Sequence, residues 1–214
     1  MKPKSRLGRP ALLRPGVGTV IAFYQALALA GAGAGEPAKA LEFRIVPSRS
    51  MIRFDARATG HTVHGVTRQV EGEVVFDPED LSRRAEVRLR IQAAGLETGN
   101  KIRDRKMRES HLETQRHPLI AFRSIAVQTI APTLRAGETQ EMTVRGILTL
   151  HGVDRRVSFP VKAARHGADV VVTGETVLRL TDYAIPIPTF LFVKLQDEVK
   201  VMFEVVAATA ATEP

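Results

Sequence analysis

From Leu41 onward the chain alternates between apolar and polar residues. Ala85, Val87, Leu89, Ile91 and Ala93 are interleaved with Glu86, Arg88, Arg90 and Gln92. A period of two sends successive side chains to opposite faces, so this stretch reads as a half-buried strand. Ile52, Phe54, Ala56 and Ala58 alternate in the same way with Arg53, Asp55 and Arg57. Val157, Phe159, Val161 and Ala163 form a third such set, and Val199, Val201, Phe203 and Val205 a fourth. Weaker alternation runs over Val70–Asp77 and Met142–Leu150, and Val170-Val171-Val172 opens a strand toward Leu180.

Turn signals separate these runs. Asp77-Pro78-Glu79-Asp80 suits a type I turn, because proline presets its second position. His151-Gly152-Val153-Asp154 and His166-Gly167-Ala168-Asp169 are breaks of the same kind. Strands this close together leave no room for crossover helices, so antiparallel pairing follows. About eight strands with one apolar face each make a sandwich or a barrel, and periodicity does not choose between them.

One segment departs from the pattern. Lys101–His111 is rich in helix formers and charges and has no period of two. It predicts a short helix or helical loop with Asn100 as N-cap, and Pro118 then ends the loop and begins the next strand. Its run of Lys101, Arg103, Arg105, Lys106 and Arg108 reads as a solvated face. Pro186 and Pro188 cannot donate to a strand ladder, and Phe190-Leu191-Phe192-Val193 after them is apolar without alternation. That segment is expected either over a barrel mouth, facing a ligand and a membrane, or buried under the helix.

The N-terminus is organised differently. A basic stretch to Arg14 precedes an uncharged run from Pro15 to Gly35, which ends in Ala30-Gly31-Ala32-Gly33-Ala34. This is the order of a secretory signal peptide cut at an A-x-A site, the alternative being a retained anchor. The expected organisation is a cleaved signal over 1–34, a short linker over 35–40, one β domain over 41–207 and a tail over 208–214. Charge follows the same division. The net charge is +8, and removing the five basic residues of the first 14 leaves +3. A mildly basic domain gives no reason to expect nucleic acid.

Candidate chemistry is sparse. With no cysteine, disulfides, thiolate nucleophiles and Cys-based zinc sites are excluded. His61 with His64, and His111 with His117, are close in sequence, but no carboxylate stands at a diagnostic spacing, so no metal is expected. Thr98, Arg103 and Asp104 look catalytic on a motif search. Helix capping and charge pairing explain them without chemistry. There is no Gly-x-Ser-x-Gly and no phosphate loop.

Several spaced motifs, in order, resemble the YceI-like family. The strongest is Leu96-Glu97-Thr98-Gly99-Asn100-Lys101-Ile102-Arg103-Asp104, continuing through Met107-Arg108 and His117-Pro118-Leu119-Ile120-Ala121-Phe122-Arg123-Ser124. The second is Val144-Arg145-Gly146-Ile147-Leu148-Thr149-Leu150-His151-Gly152-Val153, and a looser one is Pro47–Phe54. The resemblance covers roughly residues 41–206. It departs from the family's common pattern at Thr59–Val66 and at the proline pair.

The resemblance implies a single lipocalin-like antiparallel barrel, with one short helix near 101–111, holding a long amphiphile. It also implies export to the periplasm or medium. On that reading the apolar lining comprises Ile52, Phe54, Phe76, Val87, Leu89, Ile91, Phe122, Leu148, Phe159, Phe190, Phe192 and Phe203. The expected function is a binding or carrier protein for a polyisoprenoid, quinone-like molecule or fatty amide, with transient membrane contact, no cofactor and no catalysis. The competing expectation is an envelope stress or interaction protein whose barrel is filled. Nothing in the pattern sets an oligomeric state.

Overall fold

The computed structural model describes residues 40–77, 79–81, 84–190 and 193–209, without the side chains of Phe190 and Val193. The expected signal peptide and the end of the tail lie outside these residues. The strands are β1 (Leu41–Ile45), β2 (Met51–Ala58), β3 (His61–Thr67), β4 (Val70–Phe76), β5 (Ala85–Gln92), β6 (Leu119–Thr129), β7 (Thr139–Leu150), β8 (Val153–His166), β9 (Asp169–Arg179), β10 (Thr189–Phe190) and β11 (Val193–Thr209).

Their order is β1-β4-β5-β6-β7-β8-β9-β11-β2-β3, and a further β1–β11 pairing closes the sheet. Every pairing between these strands is antiparallel. β11 pairs with β2 along its first part, through Val201 and Phe54, and with β1 at its end, through Phe43 and Thr209. β1 and β2 therefore share one place in the wall, and β3 and β4 share the next. The result is a closed eight-stranded barrel, not a sandwich. The outer edge of β3 meets the chain only at the Val66–Glu97 bridge.

The β1–β2 joint is a single 3-10 turn, Pro47–Arg49. Ser50 stitches it to β11: its hydroxyl donates to the Val46 carbonyl at 2.8 Å and accepts from the Val206 N–H at 3.0 Å. β3 is a strand that alternation alone does not reveal. Its inward positions hold His61, Val63, Gly65 and Thr67, of which only Val63 is large and apolar.

The turns form as their residues require. His151 and Gly152 connect β7 to β8 with φ of 52° and 73°, so both central residues are left-handed, as the twist of a two-residue hairpin demands. In the β4–β5 loop the Asp80 N–H donates to the Asp77 carbonyl at 3.2 Å, and the Glu79 N–H donates to the Asp77 carboxylate at 3.0 Å. A bulge between Ser124 and Ala126 turns Ile125 out to solvent.

The helix is where it is expected, in two parts. α1 (Lys101–Lys106) continues into one π-helical turn, Met107–His111. The Asn100 side chain accepts from the N–H groups of Ile102 and Arg103, both at 3.1 Å, satisfying two donors the helix cannot.

One end of the barrel is packed shut. Phe43 and Phe76 stack with centroids 5.1 Å apart. Ile45, Leu81 and Leu134 are buried in the same core cluster. Leu81 and Leu134 come from the β4–β5 and β6–β7 loops, and the Leu81 N–H donates to the Pro132 carbonyl at 2.8 Å. The other end carries α1, the β2–β3 and β7–β8 turns, and the 3-10 turn Leu180–Tyr183.

Candidate functional site: an apolar lumen open at one end

The lumen is not filled. A cavity of about 740 Å³ runs from Val74, Val87 and Val205 near the closed end to Ala58, His61, Asn100 and Ile102 at the open end. That lies within the range of small-molecule sites, about 300–1,000 Å³.

Its wall is the inward face of the alternating strands. Of the expected lining residues, Ile52, Phe54, Val87, Leu89, Ile91, Phe122, Leu148, Phe159 and Phe203 line the cavity. Phe76 does not: it is buried against Phe43 in the plug of the closed end. Phe192 lies outside the described residues, as does the side chain of Phe190. Val161 and Val201, on the apolar faces read from alternation, also line it, as do Val63, Val144, Val172 and Leu178, which were not among the expected lining residues.

Three glycines keep the phenyl rings against the wall. Gly65 faces Phe54 across β2–β3, and an added Cβ would fall 2.1 Å from its ring. Gly174 faces Phe203 across β9–β11, with 2.5 Å to its ring, and Gly146 lies under Phe122, at 2.4 Å. Each ring covers a strand position that has no side chain. Phe122, Phe159 and Phe203 form a continuous belt, with centroid separations of 5.5 Å and 5.6 Å along it. These are favourable aromatic spacings.

The open end is polar and basic. Thr98, Asn100, Arg103, Lys106, His111, Thr176, Arg179 and Thr189 line it, and among the described residues no carboxylate does. The basic run is therefore more than a solvated face, since Arg103 and Lys106 border the mouth. The residues that look catalytic are engaged with one another. Asp104 is buried and accepts from the Thr98 N–H at 2.9 Å and from its hydroxyl at 2.5 Å. Arg103 donates to the Thr98 hydroxyl at 2.7 Å and carbonyl at 2.9 Å. This network ties α1 to the segment before it.

On the opposite rim Asp197 accepts from the Thr181 N–H at 2.9 Å, its hydroxyl at 2.7 Å and Arg179 at 3.1 Å. Those Thr181 bonds hold the Asp197 carboxyl below its ordinary value, with Arg179 adding to them. The contacts fix the turn that carries Leu180 into the cavity wall. Burial pushes His111 down from its ordinary value, with Lys106 acting in the same sense.

The proline segment is at the mouth. Pro188 and Thr189 line the cavity, and the Pro188 carbonyl accepts from the Leu195 N–H at 3.0 Å. Pro186 and Thr189 are exposed, which excludes burial under the helix for them.

The histidines are not paired as their spacing proposes. His61 and His64 point to opposite faces of β3, His61 to the mouth and His64 outward to Asp55 at 2.7 Å. The ring of His117 instead lies 4.7 Å from that of His151, with Glu113 beside both.

A closed eight-stranded antiparallel barrel with an apolar lumen open at one end is a lipocalin-like architecture. Residues 43–207 match the YceI-like domain, and the chain belongs to that family. No curated protein sequence matches the chain. Among solved structures it is similar to BcnA of Burkholderia cenocepacia, with 21% identity, a TM-score of 0.65 and coverage of 77% of this chain and 99% of that one. It is also similar to a polyisoprenoid binding domain from Saccharophagus degradans, with 17% identity, a TM-score of 0.64 and coverage of 79% and 99%. The YceI protein of Campylobacter jejuni follows, with 16% identity, a TM-score of 0.57 and coverage of 69% and 85%. At these identities the likeness is one of fold.

Proposed function

We propose that this protein is an extracytoplasmic carrier or store for one long apolar lipid, of polyisoprenoid, quinone-like or fatty-amide type, and not an enzyme. The observation that carries the reading is the unfilled lumen, apolar from the Phe122–Phe159–Phe203 belt to the plug. An alkyl or isoprenoid chain asks for no polar partner there. Burying roughly 400 Å² of its surface at about 25 cal/mol per Å² contributes about 10 kcal/mol. Loss of translational and rotational freedom offsets several kcal/mol of this. With about 4 kcal/mol offset, the remaining ~6 kcal/mol corresponds to a Kd of tens of micromolar, with little discrimination between chain types.

The polar rim gives the chain a direction. The tail lies toward the plug, and a headgroup sits among Thr98, Asn100, Arg103 and Lys106. The exposed side chain of Ile102 on the same rim offers a transient contact with a membrane surface. Membership of the YceI-like family and the fold shared with a polyisoprenoid binding domain support the reading. So does the signal-like order of the first 34 residues, with the periplasm or medium as the destination.

Native mass spectrometry of protein taken from the envelope fraction, followed by lipid extraction, tests it. One lipid per barrel is expected, and Leu89→Asp is expected to lose it, because an unpaired carboxylate in an apolar site costs several kcal/mol. Lipid-free wild-type protein, or a folded Leu89→Asp variant with the wild-type lipid load, overturns the proposal.

A further inference from the structure

Outside the lumen, one group of side chains has the composition and placement of a metal site. Glu113, His117 and His151 each offer one ligand atom, and these atoms all lie within 4.8 Å of one another. Glu113 and His117 flank a tight turn in which the Glu113 carbonyl accepts from the N–H groups of Arg116 at 2.8 Å and His117 at 2.9 Å. His151 comes from the two-residue turn between β7 and β8. The site thus joins two segments distant in sequence.

The histidine chemistry points to a cation. His151 Nδ1 lies 3.0 Å from the Tyr183 carbonyl, which can only accept, so Nδ1 carries the proton. In the neutral ring Nε2 is then a bare lone pair. It is buried and has no hydrogen-bond partner. A buried lone pair without a donor is costly, and a backbone carbonyl behind the other nitrogen is the support that metal-bound histidines use.

The neighbouring groups fit the same role. Gly152 leaves room for the His117 ring, which an added Cβ would meet at 2.7 Å. Arg116 donates to one Glu113 carboxylate oxygen at 2.6 Å, leaving the other available. Glu113 and His151 have φ of 43° and 52°, left-handed values that only Ala184 shares among the described non-glycine residues. Such strain persists where the surroundings impose it.

We propose that Glu113, His117 and His151 bind one divalent transition-metal ion of the Zn²⁺, Ni²⁺ or Cu²⁺ class, and that the ion clamps the segment after the helix to the β7–β8 hairpin. Two imidazoles and a carboxylate suit this class and leave at least one coordination position for water. Bonds of about 2.0–2.1 Å place tetrahedral ligand atoms about 3.3 Å apart, so small side-chain rotations complete the site. The clamp acts close to the mouth, because Met107, His111 and Leu112 before the segment, and Leu150 before the hairpin turn, all line the cavity.

The test uses tag-free, EDTA-treated protein titrated with Zn²⁺ by calorimetry, alongside thermal unfolding with and without the ion. One Zn²⁺ per chain and a raised Tm are expected. His117→Gln, whose ring has no backbone hydrogen bond to lose, is expected to weaken binding about 100-fold and to abolish the Tm rise; about 10–100-fold is already typical when only a supporting contact is lost. Glu113→Gln, which keeps a partner for Arg116, is expected to act in the same direction. His166→Gln, at an exposed position at the end of β8, is expected to bind as the wild type does. Absence of Zn²⁺ binding below millimolar concentration, or unchanged binding in a folded His117→Gln protein, overturns the proposal.

Discussion

Phe203 on β11 and Gly174 on β9 are direct cross-strand partners, and the ring of one lies over the bare backbone of the other. A Cβ at Gly174 would meet Phe203 Cζ at 2.5 Å and the Pro160 carbonyl oxygen at 2.9 Å. The glycine thus sets where the ring goes, and the ring lies against the wall instead of crossing the lumen.

Gly174→Ala is expected to push the Phe203 ring inward and cost about 1–3 kcal/mol by overpacking. Lipid load is expected to fall with it. Phe203→Leu in the same chain restores space and is expected to recover much of the loss. Urea unfolding of the two single variants and the double variant measures the coupling, and strictly additive effects would show that the two residues act independently.

Asp104→Ala is expected to cost about 2–3 kcal/mol, since a buried charged acceptor and its bonds to Thr98 are lost. Asn100→Ala removes only a cap and is expected to cost about 1 kcal/mol. Both are expected to speed lipid exchange with vesicles by loosening α1 at the mouth. Thermal unfolding and a fluorescent-lipid exchange assay check the ranking, which reverses if Asp104 is not holding the helix.

Asp197 gives a pH signature. Its carboxyl is held below its ordinary value in the folded protein by Thr181 and Arg179. The folded state therefore binds fewer protons than the unfolded state between the two values. The stabilisation is present above the unfolded value of about 3.9 and is lost as pH falls through the lower folded value. Asp197→Asn is expected to be less stable than wild type near neutrality and to converge with it in acid. A stability difference that stays constant across the acid limb would remove the role from Asp197.

Export is checked by the mass of the protein in the envelope fraction. Cleavage after Ala32 or Ala34 is expected, so the recovered chain begins at Gly33 or Gly35. A chain still starting at Met1 and extracted only with detergent would make the first segment an anchor.

Much of the barrel was legible in alternation, because a wall with one apolar face imposes a period of two. β5 showed this most plainly, and Val87, Leu89 and Ile91 do face the lumen. β3 is hidden in the sequence because only Val63 of its four inward positions is large and apolar, the others being His61, Thr67 and a glycine covered by Phe54. Phe76 was assigned to the lumen because periodicity distinguishes inside from outside but not the plugged end from the open one. The choice of a barrel over a sandwich depended on the β1–β11 pairing, a contact between the two ends of the domain that local pattern does not encode. The Glu113–His117–His151 group was hidden for the same reason, since a hairpin turn supplies its third member.

The plug made by Leu81, Leu134 and the stacked Phe43 and Phe76 makes the barrel a blind tube. A guest oriented as proposed would have one doorway and would back out the way it came in, headgroup leading on departure. Donor and acceptor surfaces would then compete for the same rim, and the carrier could not load at one end while unloading at the other. Its traffic would run as a shuttle with alternate stops, never as a conduit.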